Sequence, residues 1–194
     1  MLNIRKFLRR NDNKRKLIGT LKLWCIGVLI LSSIKLSPIS FFYNHTISMP
    51  IGLYLVNFFH PTLKKDDLVI ACLPNEEVAK FAILRGYILH SNHSCNWNSE
   101  YLLKRIKAVP GDVIEIRDKQ IYINDTLLPN SKILNMDSLD RPLTSSLLPL
   151  KLGNNEYLIF GDEASSYDSR YFGIIKTDNI KGNAYPIYTK GNDL

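Results

Sequence analysis

The stretch at residues 101–124, YLLKRIKAVPGDVIEIRDKQIYIN, decides the fold. Its first part, 102–109, is an apolar run broken by Lys104, Arg105 and Lys107, and Pro110-Gly111-Asp112 ends it with a turn. Two β-type runs follow, 113–117 and 120–124, joined by the short Asp118-Lys119 link. The spacing predicts a hairpin, with Val113 or Ile114 and Ile121 or Ile123 facing inward.

Similar runs occur on both sides, at 67–71 (DLVIA), 156–160 (EYLIF) and 183–188 (NAYPIY). One helix is predicted over 75–84. Asn75 can cap it, Glu76 and Glu77 suit its positive end, and Gly86 suits its termination. Residues 130–153 lack periodicity and hold Arg141-Pro142, Thr144-Ser145-Ser146 and Pro149, so they read as a long surface excursion. Many short strands with one helix predict a mostly β domain, a folded sheet or barrel and not a parallel α/β fold.

The 194-residue chain has room for one domain and an appendage. Its net charge of +7 would suit a nucleic-acid binder if it were spread over that domain. It is not: residues 1–22 hold eight basic side chains against Asp12, which accounts for the whole excess. The remainder is formally neutral, so nucleic acid is not an expected partner. Residues 18–36 lengthen the charge-free core LWCIGVLILSSI to 19 residues, provided Lys22 and Lys35 extend toward the head groups. That length suffices for one transmembrane crossing.

The leader is long and no small-x-small cleavage site closes the apolar run, so we expect a retained signal anchor. The positive-inside rule then predicts 1–17 as a cytoplasmic leader and 37–194 as an external, periplasmic domain tethered to the inner membrane. Residues 37–43, rich in Phe41, Phe42 and Tyr43, read as an interfacial stalk. Cys25 falls inside the anchor, leaving Cys72 and Cys95 as an even pair in an oxidising compartment, either bonded or as two thiols. The four histidines are scattered without partnered cysteines, so no metal site is expected.

Three segments could carry chemistry. The first, Thr46-Ile47-Ser48-Met49-Pro50-Ile51-Gly52-Leu53-Tyr54, sets two hydroxyls beside turn formers. A serine hydroxyl is a weak nucleophile until a base removes its proton. No Gly-x-Ser-x-Gly elbow is present and no histidine has a triad context. A lysine can serve if burial lowers its pKa, and Lys104 lies in the apolar strand described above, with Arg105 on the opposite face. The third segment is 161–173, GDEASSYDSRYFG, where an ion pair of Asp162 or Asp168 with Arg170 could hold the loop.

In this order the boxes resemble the type I signal peptidase family: Ser-Met-Pro after an anchor, Lys-Arg leading into Pro-Gly-Asp, then Gly-Asp and Asp-Ser-Arg with a closing Gly. Pro50-Ile51-Gly52-Leu53-Tyr54, 67–72, Arg85-Gly86-Tyr87 and Cys95 are similar to its conjugative-transfer (TraF-type) subgroup. The resemblance implies Ser48 as nucleophile and Lys104 as base, with no cofactor. Thr46 would assist the oxyanion hole. Ser166 would orient the lysine amine, although the shortened loop leaves Ser165 open, and Asp162, Asp168 and Arg170 would support that loop.

A Cys72–Cys95 disulfide becomes an expected feature. The family's taste for small residues before the cut implies shallow apolar pockets, and Met49 and Leu103 are the candidates for their walls. The implied function is a membrane-anchored serine endopeptidase that trims exported precursors. In the conjugative subgroup the precursor is a pilin, and type IV secretion components are the implied partners. The alternatives are a general signal peptidase and an inactive, membrane-tethered assembly protein. A soluble repressor-type autoprotease would share the β fold, but residues 1–36 do not form a DNA-binding domain.

Overall fold

The computed structural model describes residues 21–22, 24–26, 38–59, 61, 63–92 and 95–190. Residues 21–22 and 24–26 are helical. The predicted leader, and most of the predicted anchor at 18–36, lie outside the described residues. Among those described, no helix is long and apolar enough to cross a membrane.

Residues 39–190 form two antiparallel sheets. The larger has the order β1-β2-β11-β3-β4-β9-β10. Its strands are β1 (Ile39–Asn44), β2 (Gly52–Asn57), β3 (Leu68–Ala71), β4 (Leu102–Ala108), β9 (Glu156–Phe160), β10 (Ile175–Lys176) and β11 (Ile180–Thr189). The smaller, in the order β7-β6-β5-β8, contains β5 (Val113–Arg117), β6 (Gln120–Ile123), β7 (Thr126–Leu127) and β8 (Leu150–Lys151). The mostly β class and the hairpin are as expected. Ile114 pairs with Ile123 and both face inward with Ile121, while Val113 is exposed.

Helix α1 (Glu76–Leu84) starts where Asn75 Oδ1 accepts from the Val78 N–H at 2.9 Å. It buries Ala79 and Ala82 against Val69, Ala71, Ile106 and Ile159, so the small faces of α1 let it pack close to the sheet. A second cluster fills the space beside the small sheet, and a third joins Met49, Tyr54, Val56, Ile70, Leu103 and Ala184.

Three expectations need correction. The 37–43 stalk is largely β1, because alternating side chains at Ile39–Asn44 pair in register with β2, from Ile39 opposite Asn57 to Asn44 opposite Gly52. The excursion at 130–153 is not merely superficial. Its Ile133, Leu147 and Leu152 are buried in the second cluster, and β8 pairs with β5. Among the described residues of 39–190 one α-helix becomes two, since α2 (Ser169–Phe172) closes the 161–173 loop, capped by Asp168, which accepts from the Arg170 N–H. Of the two architectures expected, a folded sheet or a barrel, the strand orders among the described residues are those of open sheets.

β11 runs three residues further upstream than expected and tolerates Pro186, because its upstream half pairs with β3 while its downstream half pairs with β2, shifting register at Pro186. Gly52 is needed there: a Cβ on it would fall 2.1 Å from the Tyr188 carbonyl oxygen.

Cys72 and Cys95 are joined, 23 residues apart in sequence. The bond fastens the end of β3 to the segment that leads through Asn96–Asn98 into β4. Closing a loop of this length is worth about 3 kcal/mol in the unfolded chain. The Cys72→Ala/Cys95→Ala chain should therefore lose about that much in urea unfolding, and a loss of under 1 kcal/mol would show that the bond constrains little.

Candidate active site

Strand β4 brings the first candidate side chain into the interior. Its alternation puts Leu102, Lys104 and Ile106 on one face and Leu103 and Arg105 on the other. Leu102 and Ile106 belong to the core beside α1, and Lys104, between them, is only 3% exposed. Arg105 reaches out instead, donating to Asp162 from Nε and Nη2 at 3.2 Å and to the Asp66 carbonyl at 3.0 Å. Burial pushes the Lys104 amine down from 10.5 to about 8; Asp168 and Asp162 partly oppose that shift and Arg170 adds to it.

Ser48 stands on the turn between β1 and β2. Thr46, Ser48, Leu103 and Lys104 line one cavity of ≈ 40 Å³, together with Asn44, His45 and Tyr101. The 161–173 loop docks on the same turn: the Asp162 N–H donates to the Ser48 carbonyl at 2.8 Å. Gly161 leaves the space that makes this fit. A Cβ there would fall 2.3 Å from Ser166 Oγ and 2.8 Å from the Ser48 oxygen. Ser166 is buried, and among the described residues its hydroxyl has no hydrogen-bond partner. Ser165 is exposed and lines a different cavity.

Of the ion pairs left open by sequence, Arg170 takes Asp168, with contacts of 2.8 and 2.6 Å and both side chains fully buried. Asp162 pairs with Arg105. Met49 is not on the cavity wall with Leu103. It is 1% exposed and packs beneath, in the same core cluster.

Residues 15–189 match the Peptidase_S26 family, signal peptidase, peptidase S26. The chain belongs to the type I signal peptidase family. Within that family it is of the TraF type. The plasmid transfer protein TraF of Escherichia coli is 34% identical over 148 residues, 75% of this chain and 81% of that protein. The conjugal transfer protein TraF of Agrobacterium fabrum is 34% identical over 149 residues, with the same coverage. Signal peptidase I S of Bacillus subtilis is 28% identical over 161 residues, 76% of this chain and 87% of that protein.

One residue of this signal peptidase homologue escaped the sequence reading. Asn44, 3% exposed, fills the inside of the serine turn. Its Nδ2 donates to the carbonyls of Thr46 and Met49 at 2.9 Å and of Pro50 at 3.1 Å. Its Oδ1 accepts from the Thr46 N–H at 3.2 Å and the Thr46 hydroxyl at 2.9 Å. Only an amide supplies both donors and acceptor in that space. Asn44→Leu keeps the size but strands these groups, and should cost roughly 2–4 kcal/mol of stability. Asn44→Asp, which turns a negative oxygen toward three carbonyls, should cost more. Equal urea midpoints for wild type and Asn44→Asp would contradict this network.

Proposed function

We propose that this chain is a membrane-anchored serine endopeptidase in which Ser48 attacks and Lys104 is the general base, acting at the outer face of the inner membrane on exported precursors. The observation that carries this reading is the buried Lys104 amine, brought down to about 8, lining one cavity with Ser48. A lysine with that pKa has a substantial neutral fraction near pH 8, which an exposed lysine lacks. The neutral amine takes the Ser48 proton, Ser48 attacks the scissile carbonyl, and the protonated amine then passes its proton to the leaving nitrogen.

The developing oxyanion would be met by the Ser48 N–H and by the Thr46 hydroxyl once it turns from Asn44, each donor being worth roughly 3 kcal/mol. The buried Ser166 hydroxyl, with the loop held by Asp168 and Arg170, suits the part of orienting the amine.

β4 pairs with β3 along Leu102–Arg105, but β9 joins its other side only from Arg105 onward. An extended precursor segment can add to the open edge at 102–104, with small side chains entering the cavity beside Leu103.

The substrate class we assign is a conjugative pilin precursor; its support is the resemblance to the conjugative-transfer subgroup, whose relatives here are named as plasmid and conjugal transfer proteins. The test is to present purified enzyme, in detergent or vesicles, with a pilin precursor and separately with a bulk secreted precursor. Cleavage of the pilin precursor is expected, and its mass shows whether water or the pilin's own amine released the acyl group. Efficient cleavage of the secreted precursor alone would make this a general signal peptidase; cleavage of neither would leave an assembly protein.

A further inference from the structure

A second cavity, of ≈ 270 Å³, also has Ser48 on its wall and excludes Lys104. Its lining is mainly apolar and aromatic, with Leu134, Met136 and Leu143 from the excursion and Tyr171 from α2, and its polar members besides Ser48 are Asp137, Ser138 and Ser165. Tyr87 and Tyr167, with ring centroids 4.8 Å apart, line both cavities and stand between them.

The far wall is built, not draped. Asp137 accepts from the Tyr87 hydroxyl at 2.6 Å, from Arg141 Nε at 2.7 Å and from the N–H groups of Leu139 and Arg141. Arg141 and Arg85 exchange contacts with the backbone across the same junction, Arg141 Nη2 reaching the Arg85 carbonyl at 2.9 Å and Arg85 Nη1 the Pro142 carbonyl at 3.2 Å. The cavity is therefore pre-formed, which lowers the ordering cost of filling it.

Building on the function proposed above, we propose that this second cavity binds the precursor on the leaving side of the cut, taking an apolar or aromatic side chain of the first or second residue after the scissile bond. The occupant follows from the layout. The open edge of β4 borders the cavity that contains Lys104, so the segment before the cut lies there. A chain passing Ser48 must continue on its other side, and the second cavity is the concave surface that meets it. Its lining offers no positive charge to hold an anionic group, its one carboxylate, Asp137, is already bonded to Tyr87 and Arg141, and its apolar side chains favour burial of a large hydrophobic one. The excursion that looked superficial in sequence thus becomes a specificity element.

Met136 is half exposed on the rim, so Met136→Trp can fill the cavity without emptying the core. Three probes separate the outcomes: a precursor peptide with leucine just after the cut, the same peptide with glycine there, and an alkyl ester ending at the scissile carbonyl. Wild type should prefer the leucine peptide. Met136→Trp should lose at least about tenfold in kcat/KM on that peptide, little on the glycine peptide and nothing on the ester.

Equal kcat/KM of wild type on the leucine and glycine peptides, or an equal loss by Met136→Trp on all three probes, would overturn the assignment while leaving the dyad intact. Failure of wild type to turn over the ester as well as both peptides would instead remove the proposed function on which it rests.

Discussion

A Lys104→Met chain should cleave at least roughly 10⁴-fold more slowly than wild type, and it should also be the more stable protein at neutral pH. The two effects have one cause. Lys104 is 3% exposed, and burial lowers its pKa from 10.5 to about 8. The unfolded chain therefore binds a proton more tightly than the folded one. Below pH 8 both forms are protonated and the folded state carries the whole penalty, about 3 kcal/mol for a shift of this size. As pH rises from 8 to 10.5 the folded lysine is already neutral while the unfolded one still loses its proton, so the penalty disappears.

Methionine fills similar space with no charge to bury. Lys104→Met should then gain about 3 kcal/mol over wild type at pH 6.5, and the gap should close towards pH 10.5. Ser48→Ala should lose cleavage to the same degree and show no such pH-dependent gap. Wild-type kcat/KM should climb with pH through about 8. A stability gap that does not vary with pH would show that Lys104 is not an unfavourably buried cation. Normal cleavage by either variant would refute the dyad.

Much of this was readable in the chain, for identifiable reasons. β5 and β6 follow from the alternation of the 113–124 hairpin, because burial of one face writes a period of two into the sequence, whereas β9, buried on both faces, follows from its short apolar run EYLIF. The start of α1 follows from Asn75, since a cap acts on its own helix. The chemistry was less local. Neither Ser48 nor Lys104 stands out in its own segment, and it was the order of the three boxes that gave them meaning.

What escaped depended on partners distant in sequence. Phe41, Phe42 and Tyr43 suit a bilayer surface as well as a strand, and only the pairing of β1 with β2 shows the strand. Asn44 beside His45 looks like a turn former until five backbone and hydroxyl groups converge on its amide. That Ser166 is buried against Gly161 while Ser165 is exposed is likewise a matter of packing, which no spacing rule contains.

Arg170→Met should destabilise the domain by about 4 kcal/mol, a large fraction of what a domain of this size possesses. Arg170 is fully buried, and the strength of its position lies in the number of contacts it makes. Nε and Nη2 hold both oxygens of Asp168, and Nη1 and Nη2 also donate to the carbonyls of Asn130, Glu163, Ala164 and Ser166 at 2.6–3.2 Å. Methionine would leave the Asp168 carboxylate without its charge partner and these carbonyls without their donors. Lysine would keep the charge but not the fork, so Arg170→Lys should recover only part of the loss.

Asp168 has a second duty, accepting from the Gly161 N–H at 3.0 Å, which ties the ion pair to the glycine that seats Ser166 beside Ser48. Removing both charges, as Arg170→Met/Asp168→Leu, should therefore restore stability relative to Arg170→Met alone, because no unpaired charge stays buried. It should not restore cleavage, since the loop would lose the contact that sets Ser166. Urea midpoints and kcat/KM measured on the same three proteins distinguish the two roles: recovery of both together would mean that the pair serves stability only, and recovery of neither would mean that it is the carbonyl contacts of Arg170, and not its charge, that hold the loop.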